Sequence, residues 1–158
     1  MENFRYRIGE DLREVPENLE EFKKGISILE NEVETIQERK VKAQKLSKLG
    51  VLYRIIGNLN ISQNRLLEAS KLIDTSNEKN LFIVNEIRIA QTLQFQNKND
   101  EADKKLNLLQ NKILQENIGI HLLDFIYQHR GKNLYEKGDL KTALTFIKKA
   151  LEIRKKKG

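Results

Sequence analysis

The chain has 158 residues, 39% of them hydrophobic and 33% charged, with a net charge of +6 and neither cysteine nor tryptophan. That length fits one domain or one short array of repeats, and the composition suits a helical protein with a large solvated surface rather than a thick globular core. Disulfides and thiolate metal sites are excluded, no run nears the roughly 18 apolar residues of a membrane-crossing helix, and the opening Met1-Glu2-Asn3-Phe4-Arg5 lacks the apolar stretch of a secretory leader.

Periodicity of three and four dominates the chain, and strand-like alternation is scarce. Pro16, the one proline, predicts a helix start, because its absent N–H would be unpaired there in any case. After it Leu19, Phe22, Ile26, Leu29, Val33 and Ile36 form an apolar stripe on one face. A second helix is expected from Lys42 to Ile56, with Leu46, Leu49, Tyr53 and Ile56 inward, ended by a Gly57-Asn58 turn. A third runs from Ile61 to Ile73, with Leu66, Ala69 and Ile73 inward, followed by the polar connector Asp74-Thr75-Ser76-Asn77. Ile83 to Phe95 and Asp100 to Gln115 make the next pair, joined by Asn97-Lys98-Asn99. Ile120 to Glu136 and Leu140 to Lys155 make the last, joined by Lys137-Gly138-Asp139.

These elements are copies of one unit. Phe22, Ser62, Ala102 and Ala143 are separated by 40, 40 and 41 residues. Ile26, Leu66, Leu106 and Ile147 keep that spacing, and so do Leu29, Ala69, Leu109 and Ala150. Three registers repeating together are the mark of a solenoid, whose working surface is built from several units.

The last unit carries a family resemblance most clearly, in Gly131-Lys132-Asn133-Leu134-Tyr135-Glu136-Lys137-Gly138-Asp139-Leu140 followed by Ala143, Ile147 and Ala150-Leu151-Glu152-Ile153. It resembles a tetratricopeptide repeat: Gly131 where two helices cross, a Gly138-Asp139 turn, and Ala143 and Ala150 where the second helix nests. The first clear unit keeps Leu49-Gly50, Tyr53, Gly57-Asn58 and Ala69, with Ser62 in place of alanine. The second keeps Ala90, Leu93, Ala102 and Leu106 but has no turn glycine. The resemblance implies an all-α fold, an α-α superhelix of antiparallel helix pairs. It divides the chain into residues 1–40, a degenerate N-terminal helical repeat or cap with Phe22 at the small-residue position, and residues 41–158, three repeats over about 42–76, 83–116 and 120–156. A period of 40–41 exceeds the usual 34, so the resemblance is to the long-unit type, which includes kinesin light chains and peptide-sensing regulators of Gram-positive bacteria.

In that family the first helices of successive units line a concave groove. Carried over, this implies an inner face of Gln44, Ser47, Lys48, Val51, Arg54 and Ile55, then Val84, Ile87, Arg88, Gln91, Gln94 and Phe95, then Phe125, Gln128, His129, Lys132 and Tyr135. The expected partner-binding residues are Lys48, Arg54, Arg88, Gln91, Phe95, Phe125, Gln128, His129 and Lys132. No acid is among them, which suits a protein or peptide partner with an acidic segment: Arg grips carboxylates, Gln pairs with peptide backbone, and Phe95 and Phe125 offer apolar anchors. The clamp by which some relatives hold chaperone tails is absent, since Ser47, Val51 and Gln91 stand at its places.

Catalysis, metals and cofactors are not expected. His121 and His129, the only histidines, are two helical turns apart, and no phosphate loop, nucleophile elbow or metal-spaced acid cluster occurs. Charge is uneven: residues 1–40 hold 7 basic and 11 acidic side chains, a net of −4, which leaves +10 for the remainder and a basic end at Arg154-Lys155-Lys156-Lys157. That end can draw nucleic acid, although a helix C-terminus favours the same residues through its dipole. Nucleic acid is the weaker expectation, because Tyr53, Tyr127 and Tyr135 do not interleave with a basic stripe. The protein is expected in the cytoplasm and off the membrane, and the last helix, with no polar closing helix after it, is expected to pair its apolar face either with a second copy of the chain, as a homodimer, or with further sequence of a longer protein.

Overall fold

The computed structural model describes the backbone of residues 4–8 and 11–15 and the whole of residues 19–158. Phe4–Ile8 (β1) and Asp11–Val15 (β2) pair as an antiparallel ladder, Phe4 opposite Val15 and Ile8 opposite Asp11. The degenerate helical unit expected over residues 1–40 is thus helical only in its later part: Phe4-Arg5-Tyr6-Arg7-Ile8 alternates at the strand period of two. Pro16, expected to open the first helix, lies outside the described residues.

Seven α-helices follow among the described residues: Leu19–Thr35 (α1), Arg39–Ile55 (α2), Leu59–Leu72 (α3), Lys79–Phe95 (α4), Asn99–Glu116 (α5), Leu123–Glu136 (α6) and Leu140–Lys157 (α7), with one 3-10 turn at Ile120–Leu122. The chain divides into two compact units, Met1–Arg88 and Ile89–Gly158, with the boundary inside α4.

In the first unit Ile26 and Val33 of α1, Leu46 and Leu49 of α2 and Ala69 of α3 form the core, edged by Leu29, Leu52, Tyr53, Ile56 and Leu72. Helices α2 and α3 cross at Gly50, against which the fully buried Leu66 lies. Ser62, small enough for its place, donates its hydroxyl to the Gly50 carbonyl at 2.6 Å. In the second unit α6 and α7 cross in the same way, with Ile147 against Gly131. Its buried apolar residues include Ala102, Leu106, Leu109 and Ile113 of α5, Leu122 and Ile126, and Ala143 and Ala150 of α7.

One turn recurs three times. Gly57, Asn97 and Gly138 take left-handed backbone with φ of +89°, +62° and +87°. Each is followed by the same closing bond: the N–H of Asn58, Lys98 and Asp139 reaches the carbonyl of Tyr53, Leu93 and Leu134 at 2.8, 2.8 and 2.9 Å. Such a wrap satisfies the carbonyls a helix end leaves open, and asparagine enters left-handed backbone more readily than other non-glycine residues. Asn97 therefore does what the absent turn glycine would have done. The fold is all-α beyond the short ladder, a tetratricopeptide-like arrangement of helix pairs.

Candidate functional site

Helix α4 is buried nearly all round, its Asn85, Arg88, Gln91, Thr92 and Gln94 included, whereas α2 keeps a partly exposed face. In the first unit, Lys48, Arg54 and Ile55 on α2 are half-buried and Gln44 is exposed, while Ser47 and Val51 are buried. Arg88 is buried as well, its Nη1 donating to the Ser47 hydroxyl at 2.9 Å. An arginine engaged in that way joins α4 to α2 and is not presented to solvent. Asn85 does the same one turn earlier: its Nδ2 donates to the Leu66 carbonyl at 3.0 Å and to Ser70 Oγ at 2.9 Å.

The second unit holds a network of amides around His129. Gln94 Nε2 donates to the His129 carbonyl at 2.9 Å and to Asn133 Oδ1 at 2.8 Å. Its other atom, Oε1, must then accept, so the His129 Nδ1–H donates to it at 3.1 Å. His129 Nε2 is left as the acceptor for Gln91 Nε2 at 2.8 Å. Two atoms of this network have no partner: the acceptor Gln91 Oε1 and the donor Asn133 Nδ2. Gln91 is 7% exposed and Asn133 1% exposed, and a buried polar group left unpaired carries the cost of its lost hydration. Beside the network Phe95 is 53% exposed, with the Lys132 ammonium 5.1 Å from its ring centre.

Phe125, expected as an anchor for a ligand, is only 4% exposed. Its ring lies under Arg154 and Lys157, at 5.6 and 5.8 Å. Gln128 accepts from Arg154 Nη2. The same two cations meet the fully buried Asp124 carboxylate, Arg154 Nε at 3.1 Å from Oδ2 and Lys157 Nζ at 3.1 Å from Oδ1. Half of the basic end is therefore engaged in an internal ion pair.

Of the nine expected partner-binding residues, Phe95 and Lys132 are exposed, Lys48, Arg54, Gln128 and His129 are half-buried, and Arg88, Gln91 and Phe125 are buried. The second unit brings Gln91, Phe95, His129 and Lys132 into one neighbourhood through the contacts above. Asn85 and Asn133 were not foreseen. The available signal was an amide standing on a helix where the stripe calls for an apolar residue. Among the described residues no group of three or more His, Asp or Glu could hold a metal ion, and no helix is long and apolar enough to cross a membrane.

No family model matches the chain, and no curated protein matches it. Among solved structures it is similar to the Rap conjugation gene regulator of the plasmid pLS20 in complex with the Phr* peptide, at 22% identity and a TM-score of 0.75, over 84% of this chain and 38% of that one. It is also similar to MamA, at 18% identity and a TM-score of 0.44, over 90% of this chain and 98% of that one. The chain thus spans well under half the length of the Rap regulator, and the likeness to it is one of fold.

Proposed function

We propose that this chain is a non-catalytic protein-interaction module of the long-unit tetratricopeptide group, acting in the cytoplasm, that holds a peptide or partner helix without covalent chemistry on the inner face of its first helices. The observation that carries the reading is the Phe95 ring, 53% exposed, with the Lys132 ammonium 5.1 Å from its centre and the His129 amide network beside it. That ring offers aromatic area for an apolar side chain, and Lys132 beside it favours an acidic flank. The Rap regulator of similar fold was solved with a peptide bound, which supports the same mode here.

Selection of binders from a displayed random-peptide library, using the full chain as bait, tests this reading. Selected peptides are expected to lose at least about tenfold in affinity for the Phe95→Ala/Lys132→Ala variant, with its circular dichroism and melting unchanged. Equal binding to the parent and the variant would sink the assignment. Nucleic acid remains the rival reading, and it predicts a steep loss of affinity with salt; the Asp124 pairing of Arg154 and Lys157 weakens its premise.

A further inference from the structure

Polar and ionic contacts join α6 to α5. Arg130 of α6 reaches three acceptors on α5: Nε donates to Asp103 Oδ1 at 3.0 Å, and Nη1 donates to Asn107 Oδ1 at 3.0 Å and Gln110 Oε1 at 2.8 Å. One helix-end further on, Lys137 pairs with Asp100. So α5 offers acids and amides, and the helix laid on it brings the bases.

Helix α7 is the next copy of α5, displaced by 41 residues in register. Its counterparts of Asp100, Asp103, Asn107 and Gln110 are Lys141, Leu144, Lys148 and Leu151. All four are exposed, and Leu140, one turn before Leu144, is exposed too. At the equivalent positions Asp100 gives way to Lys141, Asp103 to Leu144, Asn107 to Lys148 and Gln110 to Leu151, so two acids and two amides are replaced by two lysines and two leucines. An arginine-bearing helix such as α6 would meet two like charges there and find no acceptor.

We propose that this face of α7 docks a partner helix seated as α6 is on α5, apolar toward Leu144 and Leu151 and acidic toward Lys141 and Lys148. The commitment follows from continuity with the α5–α6 seat and from the exchange of its two acids and two amides for two lysines and two exposed leucines at equivalent positions. Burial of the leucine ridge would supply affinity, and the two lysines would set register and choice of partner. This face is separate from the peptide site proposed above and stands or falls independently of it.

The probes are two helix-stapled synthetic peptides of the 119–139 sequence, one native and one carrying Arg130→Glu and Lys137→Glu. Amide shifts of the isotope-labelled full chain are followed by NMR. The acidic peptide is expected to move the amides of residues 140–155, and the native peptide to bind at least about tenfold more weakly. Leu144→Asp/Lys148→Asn in the protein, which copies α5, is expected to reverse that order. The single exposed-site variant Lys148→Glu, which keeps the leucine ridge, is expected to weaken the acidic peptide by about tenfold and carries the test if the double variant does not fold. Three results would overturn the proposal: α7 amides unmoved by the acidic peptide, equal affinity for both peptides, or concentration-dependent shifts of α7 amides without any peptide, which would assign the face to a second copy of the chain.

Discussion

Leu66 lies across Gly50 so closely that a Cβ at position 50 would fall within 3.0 Å of both the Leu66 Cγ and one of its methyl carbons. The branch point of a fully buried side chain cannot swing aside as a chain end can. Gly50→Ala therefore forces Leu66 out of place, a strain of about 1–3 kcal/mol. The better helix propensity of alanine returns about 1 kcal/mol of that. At Gly131 the one atom inside 3.0 Å is the Ile147 Cδ1 at 2.9 Å, with Ile147 Cγ1 at 3.1 Å and the Ala143 carbonyl oxygen at 3.3 Å behind it. A terminal methyl can rotate away, so Gly131→Ala is expected within about 1 kcal/mol of the parent. Chemical unfolding of the two variants checks the contrast: Gly50→Ala loses midpoint and Gly131→Ala scarcely does.

Glu78 responds to acid through Arg39. The Arg39 guanidinium meets both Glu78 oxygens, at 2.8 and 2.9 Å, and the Asp74 N–H donates to Oε1 at 2.8 Å. The arginine first, and then the N–H, hold the Glu78 carboxyl down at about 2, from an ordinary 4.5. Asp74 is also lowered, by the Asn77 side chain and the Ser76 N–H. A carboxyl depressed in the folded state contributes stability above its unfolded value and loses it as pH falls through the folded one. Stability is thus expected to decline between pH 4.5 and about 2. Glu78→Gln should be less stable at neutral pH and show a shallower decline over that window. Thermal melts as a function of pH check this, and an unchanged slope in Glu78→Gln would overturn it.

The helix pairs were legible in the sequence because the small and apolar residues that define them are local and periodic. Ser62, Ala102 and Ala143 are buried as their register demands, and Gly50 and Gly131 sit at equivalent crossings. The inner face was legible as a row of positions but not as a surface. Arg88 and Phe125 have the right register, yet Ser47 takes the guanidinium and two cations from α7 cover the ring. Such covering depends on which long side chains reach across from other helices, and periodicity carries no record of it. The N-terminal ladder was missed because the repeat resemblance assigns residues 1–40 to one degenerate helical unit or cap, although Phe4-Arg5-Tyr6-Arg7-Ile8 alternates at the period of a strand.

Asn97 stands where its two counterparts are glycine, and its φ of +62° carries a steric cost that glycine avoids. Asn97→Gly is expected to stabilise the second unit by up to about 1 kcal/mol, offset in part by the extra freedom glycine gives the unfolded chain. Asn97→Ala should destabilise by about 1 kcal/mol, since alanine keeps the steric clash and loses the local polar contacts that ease asparagine into this region. Opposite shifts in melting temperature check the pair; shifts of the same sign would show that the turn is not held left-handed.

Asp124 is fully buried and faces two cations, Arg154 and Lys157, each at 3.1 Å. Removing the sole partner of a buried charge costs about 3–5 kcal/mol, but here either cation can remain when the other is lost. Arg154→Ala and Lys157→Ala should each cost less than that figure, and the double variant should cost more than their sum, because only then is the carboxylate left without a countercharge. Asp124→Asn removes the charge that needs compensation and should rescue much of the double variant's loss. Measured unfolding free energies for the four proteins check this coupling. Strict additivity would mean that the two cations act on the Phe125 ring, and not on the carboxylate, to fix the end of α7.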